Sequence, residues 1–153
     1  MQQPRIQALL LVFIAVLLVA CSKKYEQAEM IKKEVKHYVQ QGSWKVTKYV
    51  RYNEDKTLEW SDALLQFKSN DILHVITDSN TYSGWWKVLV LDETFSGAAY
   101  DYVNLNIGFN IHESLDSLNE DWNIVSYSSV KIELMESVPD TSLMDVLTIE
   151  KWN

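Results

Sequence analysis

A single cysteine, Cys21, is the only thiol in this chain. No disulfide can form within it, so the fold must rest on its hydrophobic core. Two prolines and four glycines in 153 residues exclude collagen-like and other low-complexity architectures. Positive charge is also scarce: 14 Lys and Arg stand against 21 Asp and Glu, a net of −7. An acidic chain repels phosphate backbones, which excludes nucleic acid as a partner. There is no Gly-rich phosphate loop and no Gly-x-Ser-x-Gly elbow, and Ser83 and Ser96 stand beside glycines without a histidine placed to activate them. His37, His74 and His112 each lack a second histidine or carboxylate at metal-ligand spacing. The carboxylates Glu113, Asp116, Glu120 and Asp121 lack the fixed spacing and turn glycine of a calcium loop and read as a solvated acidic loop. The sequence thus argues for no enzyme, no metal and no cofactor.

What the chain does have is one apolar run and many aromatic rings. Residues 8–20 read ALLLVFIAVLLVA, with Arg5 the only charge before them. Crossing a bilayer takes about 20 apolar residues, so the run is short for an anchor helix and fits a secretory leader. Leu18-Val19-Ala20-Cys21 resembles the lipobox of bacterial lipoproteins. That resemblance implies cleavage before Cys21 and acylation of its sulfur and amine, which leaves no free thiol. Two or more chains anchor stably, at about 0.8 kcal/mol per buried methylene. The domains expected are a signal peptide over 1–20, an acylated cysteine, tether and helix over 21–41, and one folded domain over 42–153. Removing the leader takes Arg5 with it and moves the net charge to −8.

In residues 25–41, Ile31, Val35, Tyr38 and Val39 share one helical face, and Gly42 stands where a helix C-terminal glycine belongs. Two readings remain for this amphipathic helix: packing against one end of the domain, or lying on anionic headgroups beside the acyl anchor, with Lys32, Lys33 and Lys36. After Gly42 the period becomes two, with Trp44, Val46, Val50 and Tyr52 alternating with polar residues. Further strands are expected at Ala63–Lys68, Ile72–Asp78, Tyr82–Leu91, Tyr102–Phe109, Asn123–Tyr127, Val130–Met135 and Asp145–Lys151, with one helical turn at Glu113–Glu120. Eight strands joined by short polar turns predict an up-and-down barrel or a sandwich.

Local patterns select the barrel. Gly42-Ser43-Trp44-Lys45-Val46 opens the first strand, Gly84-Trp85-Trp86-Lys87-Val88 sits in the fourth, and Leu115-Asp116-Ser117-Leu118-Asn119-Glu120-Asp121-Trp122 precedes the sixth. With the closing Leu147-Thr148-Ile149-Glu150-Lys151, these are similar to the lipocalin-like lipoproteins common in Bacteroidota. The resemblance implies an all-β fold, an eight-stranded antiparallel up-and-down barrel preceded by a short helix, in a lipid-anchored protein of the cell envelope. Ser22 after the cysteine and the basic Lys23-Lys24 tether point to the outer membrane, facing the periplasm. Tether and helix keep the barrel within tens of ångströms of that surface, at about 1.5 Å per helical residue.

Inside such a barrel, Trp44, Phe67, Trp86 and Trp122 are expected to form the core, with Trp85, Lys87 and Leu89 facing outward. Lys48 falls on the inward phase between Val46 and Val50, where a buried amine needs a carboxylate or an anionic ligand. Tyr52, Tyr102 and Tyr127 are candidates to line the same mouth. Two functions follow. One is a barrel binding a small hydrophobic or amphipathic ligand inside. The other is a structural or partner-binding envelope lipoprotein with a filled core, working through Trp85, Trp60 and Trp152 at its surface.

Overall fold

The computed structural model describes residues 25–91, 103–110, 113–137 and 144–152. Helix α1 spans residues 25–39 and buries Ala28, Ile31, Val35 and Val39 at steps of three and four, one continuous stripe. After it the chain turns at Gly42, whose φ of 85° is a left-handed conformation that favours glycine. The chain then enters β1 (Ser43–Arg51), followed by β2 (Glu54–Asp55), β3 (Leu64–Phe67), β4 (Ile72–Ile76), β5 (Thr81–Val90), β6 (Val103–Gly108), β7 (Glu120–Tyr127), β8 (Lys131–Ser137) and β9 (Met144–Trp152). Two 3₁₀ turns, Thr57–Trp60 and Glu113–Leu118, interrupt the run of strands.

Each strand pairs antiparallel with its neighbour in the sheet, and β1 pairs with both β3 and β9. The result is a closed eight-stranded barrel. β2 is a two-residue ladder beside β1 that lies outside the closed ring. Closure removes the unpaired edges that an open sheet of this length would expose. The strand alternation seen in the sequence is the physical cause: Leu65 and Phe67, Leu73 and Val75, Trp86 and Val88, Leu105 and Ile107, and Leu147 and Ile149 all point inward and are buried. Among the described residues no helix is long and apolar enough to cross a membrane.

The barrel has two distinct ends. At one, α1 lies across the opening: Lys36 Nζ reaches Asp71 at 3.4 Å in the β3–β4 link, and the Tyr127 hydroxyl donates to Glu34 at 2.7 Å. At the other, the two 3₁₀ turns fold over, burying Trp60, Leu115 and Leu118. Between them Trp44, Trp86, Trp122, Tyr49 and Phe67 fill the interior with essentially no exposure. Each indole N–H donates to a backbone carbonyl at an end: Trp44 to Val39 at 2.9 Å, Trp86 to Lys68 at 3.0 Å, and Trp122 to Leu118 at 3.3 Å. Val39 is in the last turn of α1, whose carbonyls lack partners within the helix. Trp44 and Trp122 therefore bond the covers to the barrel, Trp86 bonds the β3–β4 link, and all three fill the interior.

Candidate functional site

The four core residues expected from sequence, Trp44, Phe67, Trp86 and Trp122, meet inside the barrel, with Phe67 edge-on to Trp86 at 5.4 Å. Trp85 and Leu89 face outward, as their phase requires. The expected mouth is not assembled. Lys48 points into solvent because β1 carries a bulge: Val46 sits opposite Ile149 but Lys48 sits opposite Thr148, leaving Thr47 as the extra residue. One inserted residue moves every later side chain to the other face. Tyr49 takes the inward place instead and is 1% exposed.

Tyr52 is exposed in a two-residue turn with Asn53, both at positive φ, joining β1 to β2. Tyr127 lies at the opposite end of the barrel, against Tyr38 and Glu34 of α1. Lys48, Tyr52 and Tyr127 therefore share no pocket. Tyr102 and Cys21 lie outside the described residues. Trp60, expected at the surface, is 4% exposed and packs edge-on against Tyr49 at 6.2 Å, because the 3₁₀ turn folds it over the barrel end. Among the described residues no cluster of His, Cys, Asp or Glu is arranged to hold a metal ion.

The bulge has a second effect, one missed in the sequence. Behind it Arg51 follows Tyr49 on the inward phase, at the end away from α1. It pairs with two carboxylates there, from β7 and β9, and a third carboxyl group, from β8, stands beside them. Arg51 Nη2 lies 3.2 Å from Glu120 Oε1, and its Nε lies 3.6 Å from Asp145 Oδ2. Its Nη1 donates to the Tyr49 hydroxyl at 3.4 Å, and that hydroxyl donates to the Ser117 carbonyl at 2.7 Å. Asp145 is 2% exposed, and its Oδ1 accepts from the Tyr52 N–H at 2.8 Å. Glu136 stands opposite Asp145 in the β8–β9 ladder. Burial, together with the neighbouring Glu120 and Asp145 charges, pushes its carboxyl up to about 7, with Arg51 pulling the other way. Burial also raises the Tyr49 hydroxyl. This network ties β1, β7, β8 and β9 together and can hold a proton near neutral pH.

A groove of about 470 Å³ runs from Glu120 and Glu136 to Trp85 on the outer face. A second, of about 500 Å³, lies over β1, β9, β8 and β7 and is where Lys48 resides, with Lys131, Glu133 and Thr148. Asp145 and Glu136 carried a readable signal, whereas Arg51 reaches the inward phase only through the bulge. Asp145 is in phase with Leu147 and Ile149, and Glu136 with Ile132 and Leu134, so each is a charge on an inward phase. No family model, curated protein or solved structure matches this chain.

Proposed function

We propose that this protein is a lipid-anchored component of the bacterial cell envelope whose filled barrel is a scaffold, and that it acts by binding a partner protein with its outer face. The observation that carries this reading is the interior: three indoles, Tyr49 and Phe67 occupy it, and α1 and the 3₁₀ turns cover its two ends. A small hydrophobic ligand held inside would have to displace side chains whose loss typically costs about 3–5 kcal/mol each. The exposed indoles Trp85 and Trp152, at 40% and 52%, are available to a partner instead. The lipobox-like Leu18-Val19-Ala20-Cys21 supports the anchor. Three residues separate Cys21 from the start of α1, which limits the tether to about 14 Å at full extension.

A metabolic label tests the anchor: an alkyne fatty acid should mark the wild-type protein and leave Cys21→Ser unmarked. For the scaffold, a photocrosslinker placed at Trp85 in cells should capture a defined neighbour, and one placed at Lys87 should capture it less. Native mass spectrometry of protein extracted from membranes decides between the two functions. A stoichiometric small molecule that survives the Trp85→Ala change but is lost on repacking Trp122 would overturn the filled-scaffold reading.

A further inference from the structure

Trp85 on β5 pairs with Gly108 on β6. The indole lies so close over that glycine that a Cβ there would run into its Cε2, Cζ2 and Nε1 atoms. One face of the ring is thus held flat on the backbone while the residue keeps 40% of its surface in solvent. Among the described residues, the groove beside it is lined by the carboxyl groups of Glu120, Asp121 and Glu136 and by no Lys or Arg, with Glu120 already paired to Arg51 at 3.2 Å. Asp121 is exposed and has no hydrogen-bonding or ionic partner for its side chain among the described residues. Asn106, opposite Asp121 on the same outer face, is 8% exposed; its buried Oδ1 has no partner among the described residues, and it does not line the groove. Lys87 sits on the other side of Asn106 and does not line the groove. Asn119, by contrast, is fully engaged: its Oδ1 accepts from the Phe109 N–H at 2.6 Å and its Nδ2 donates to Asp116 at 3.0 Å.

The group left over at this groove is therefore an acceptor, the Asp121 carboxylate, beside an indole whose ring face is electron-rich. A ligand that donates and carries positive charge satisfies both at once, whereas a neutral ligand leaves the Asp121 carboxylate uncompensated. We propose that this groove docks a basic segment of a partner protein, seating a Lys ammonium or Arg guanidinium on the Trp85 ring against Asp121 and Glu120. The inference rests on the surface-binding reading above and names the chemistry of the partner.

The test is a titration of the full chain in detergent micelles with capped tetralysine and, in parallel, capped tetraglutamate, followed by calorimetry and by tryptophan emission. Tetralysine should bind saturably and tetraglutamate should not. Trp85→Ala and Asp121→Asn should each weaken tetralysine by about tenfold or more, the size of effect expected for a residue at the centre of an interface. Asp78→Asn makes the same charge change at an exposed residue outside the groove and should stay within about twofold, as expected of an isolated surface charge. Trp85→Phe keeps Gly108 covered and should retain most of the binding, which separates a lost contact from a lost fold.

Absence of saturable tetralysine binding would overturn the proposal, as would equal weakening by Asp121→Asn and Asp78→Asn. Tetramethylammonium binding as tightly as the peptide would reassign the groove to a small amine, and chitotetraose binding in its place would reassign it to a sugar. A crosslinked neighbour with no basic segment would discard this inference while leaving the scaffold function intact.

Discussion

Glu136 keeps its proton to an unusually high pH, and this sets the direction of one stability profile. Its folded value, about 7, lies above the ordinary 4.5, with burial and the neighbouring Glu120 and Asp145 as causes. A carboxyl raised in the folded state favours folding fully below its unfolded value and loses that contribution as pH climbs through the folded one. Urea midpoints should therefore fall between pH 5 and pH 8 in the wild type, through this group. Glu136→Gln should flatten that limb and be the more stable protein at pH 8. Parallel profiles for the two proteins would show that Glu136 does not control the slope. At β1 the contrast is between neighbours. Lys48→Ala removes an exposed side chain and should shift the urea midpoint by less than about 0.5 kcal/mol equivalent. Tyr49→Phe strands the Ser117 carbonyl and one arm of Arg51, and should cost about 1–2 kcal/mol by the same measurement. The sequence places these two residues on opposite faces from the ones they occupy. A bulge adds a residue without changing composition, so the alternation through Val46 reads straight on to Lys48, and only pairing with β9 reveals the slip at Thr47.

Among the secondary-structure elements, α1 behaves as a cover more than as an independent helix. Its buried stripe, Ala28, Ile31, Val35 and Val39, reads directly from spacings of three and four, while its last helical residue, Val39, comes two residues before the expected Gln41. Of its two sequence readings, packing against one end of the barrel is the one the buried stripe displays, while Lys32, Lys33 and Lys36 stay on its other faces. Val35→Asp puts an unpaired charge into a fully buried position and should lower stability by at least about 3 kcal/mol in urea. If the helix undocks without global unfolding, Trp44 loses the Val39 carbonyl and tryptophan emission shifts to the red at low urea. A single sharp transition with unchanged native emission would mean that α1 and the barrel unfold as one unit. The strands were legible for the same reason as α1, because one face of each is buried. The inward charges Glu136 and Asp145 were legible in the same way, but their assembly with Arg51 and Glu120 into one network was not. Its members lie on four strands far apart in sequence, and only the β1–β9 closure brings Arg51 beside Asp145.

Over the whole molecule, charge is distributed along the barrel axis. The α1 end carries Lys32, Lys33, Lys36, Lys68, Lys131 and Lys151, which offset the carboxylates there. The opposite end gathers Glu54, Asp55, Glu59, Asp62, Asp78, Asp116, Asp121 and Glu136 against Arg51 and Lys56. Near an anionic leaflet, repulsion would turn the acidic end outward, which agrees with the anchor proposed just before α1. The closed ring also makes β9 indispensable. Deleting residues 144–153 leaves β1 and β8 as open edges, so the truncated protein should elute as large assemblies in size-exclusion chromatography while the full chain does not. A truncated chain that elutes as a monomer would mean that β1 and β8 can close without it.

Ser43 and Trp152 are paired neighbours, so the chain enters the barrel and leaves it at the same pole. Under the proposed lipid anchor, a reporter fused after Asn153 would be pressed toward the bilayer. The Thr77–Asn80 hairpin, turned by a 2.9 Å bond from the Thr77 N–H to the Asn80 carbonyl, stands at the opposite pole. That hairpin is where an epitope would be seen from the aqueous side, and its accessibility to antibody in intact and permeabilised cells reports which compartment the acidic pole faces.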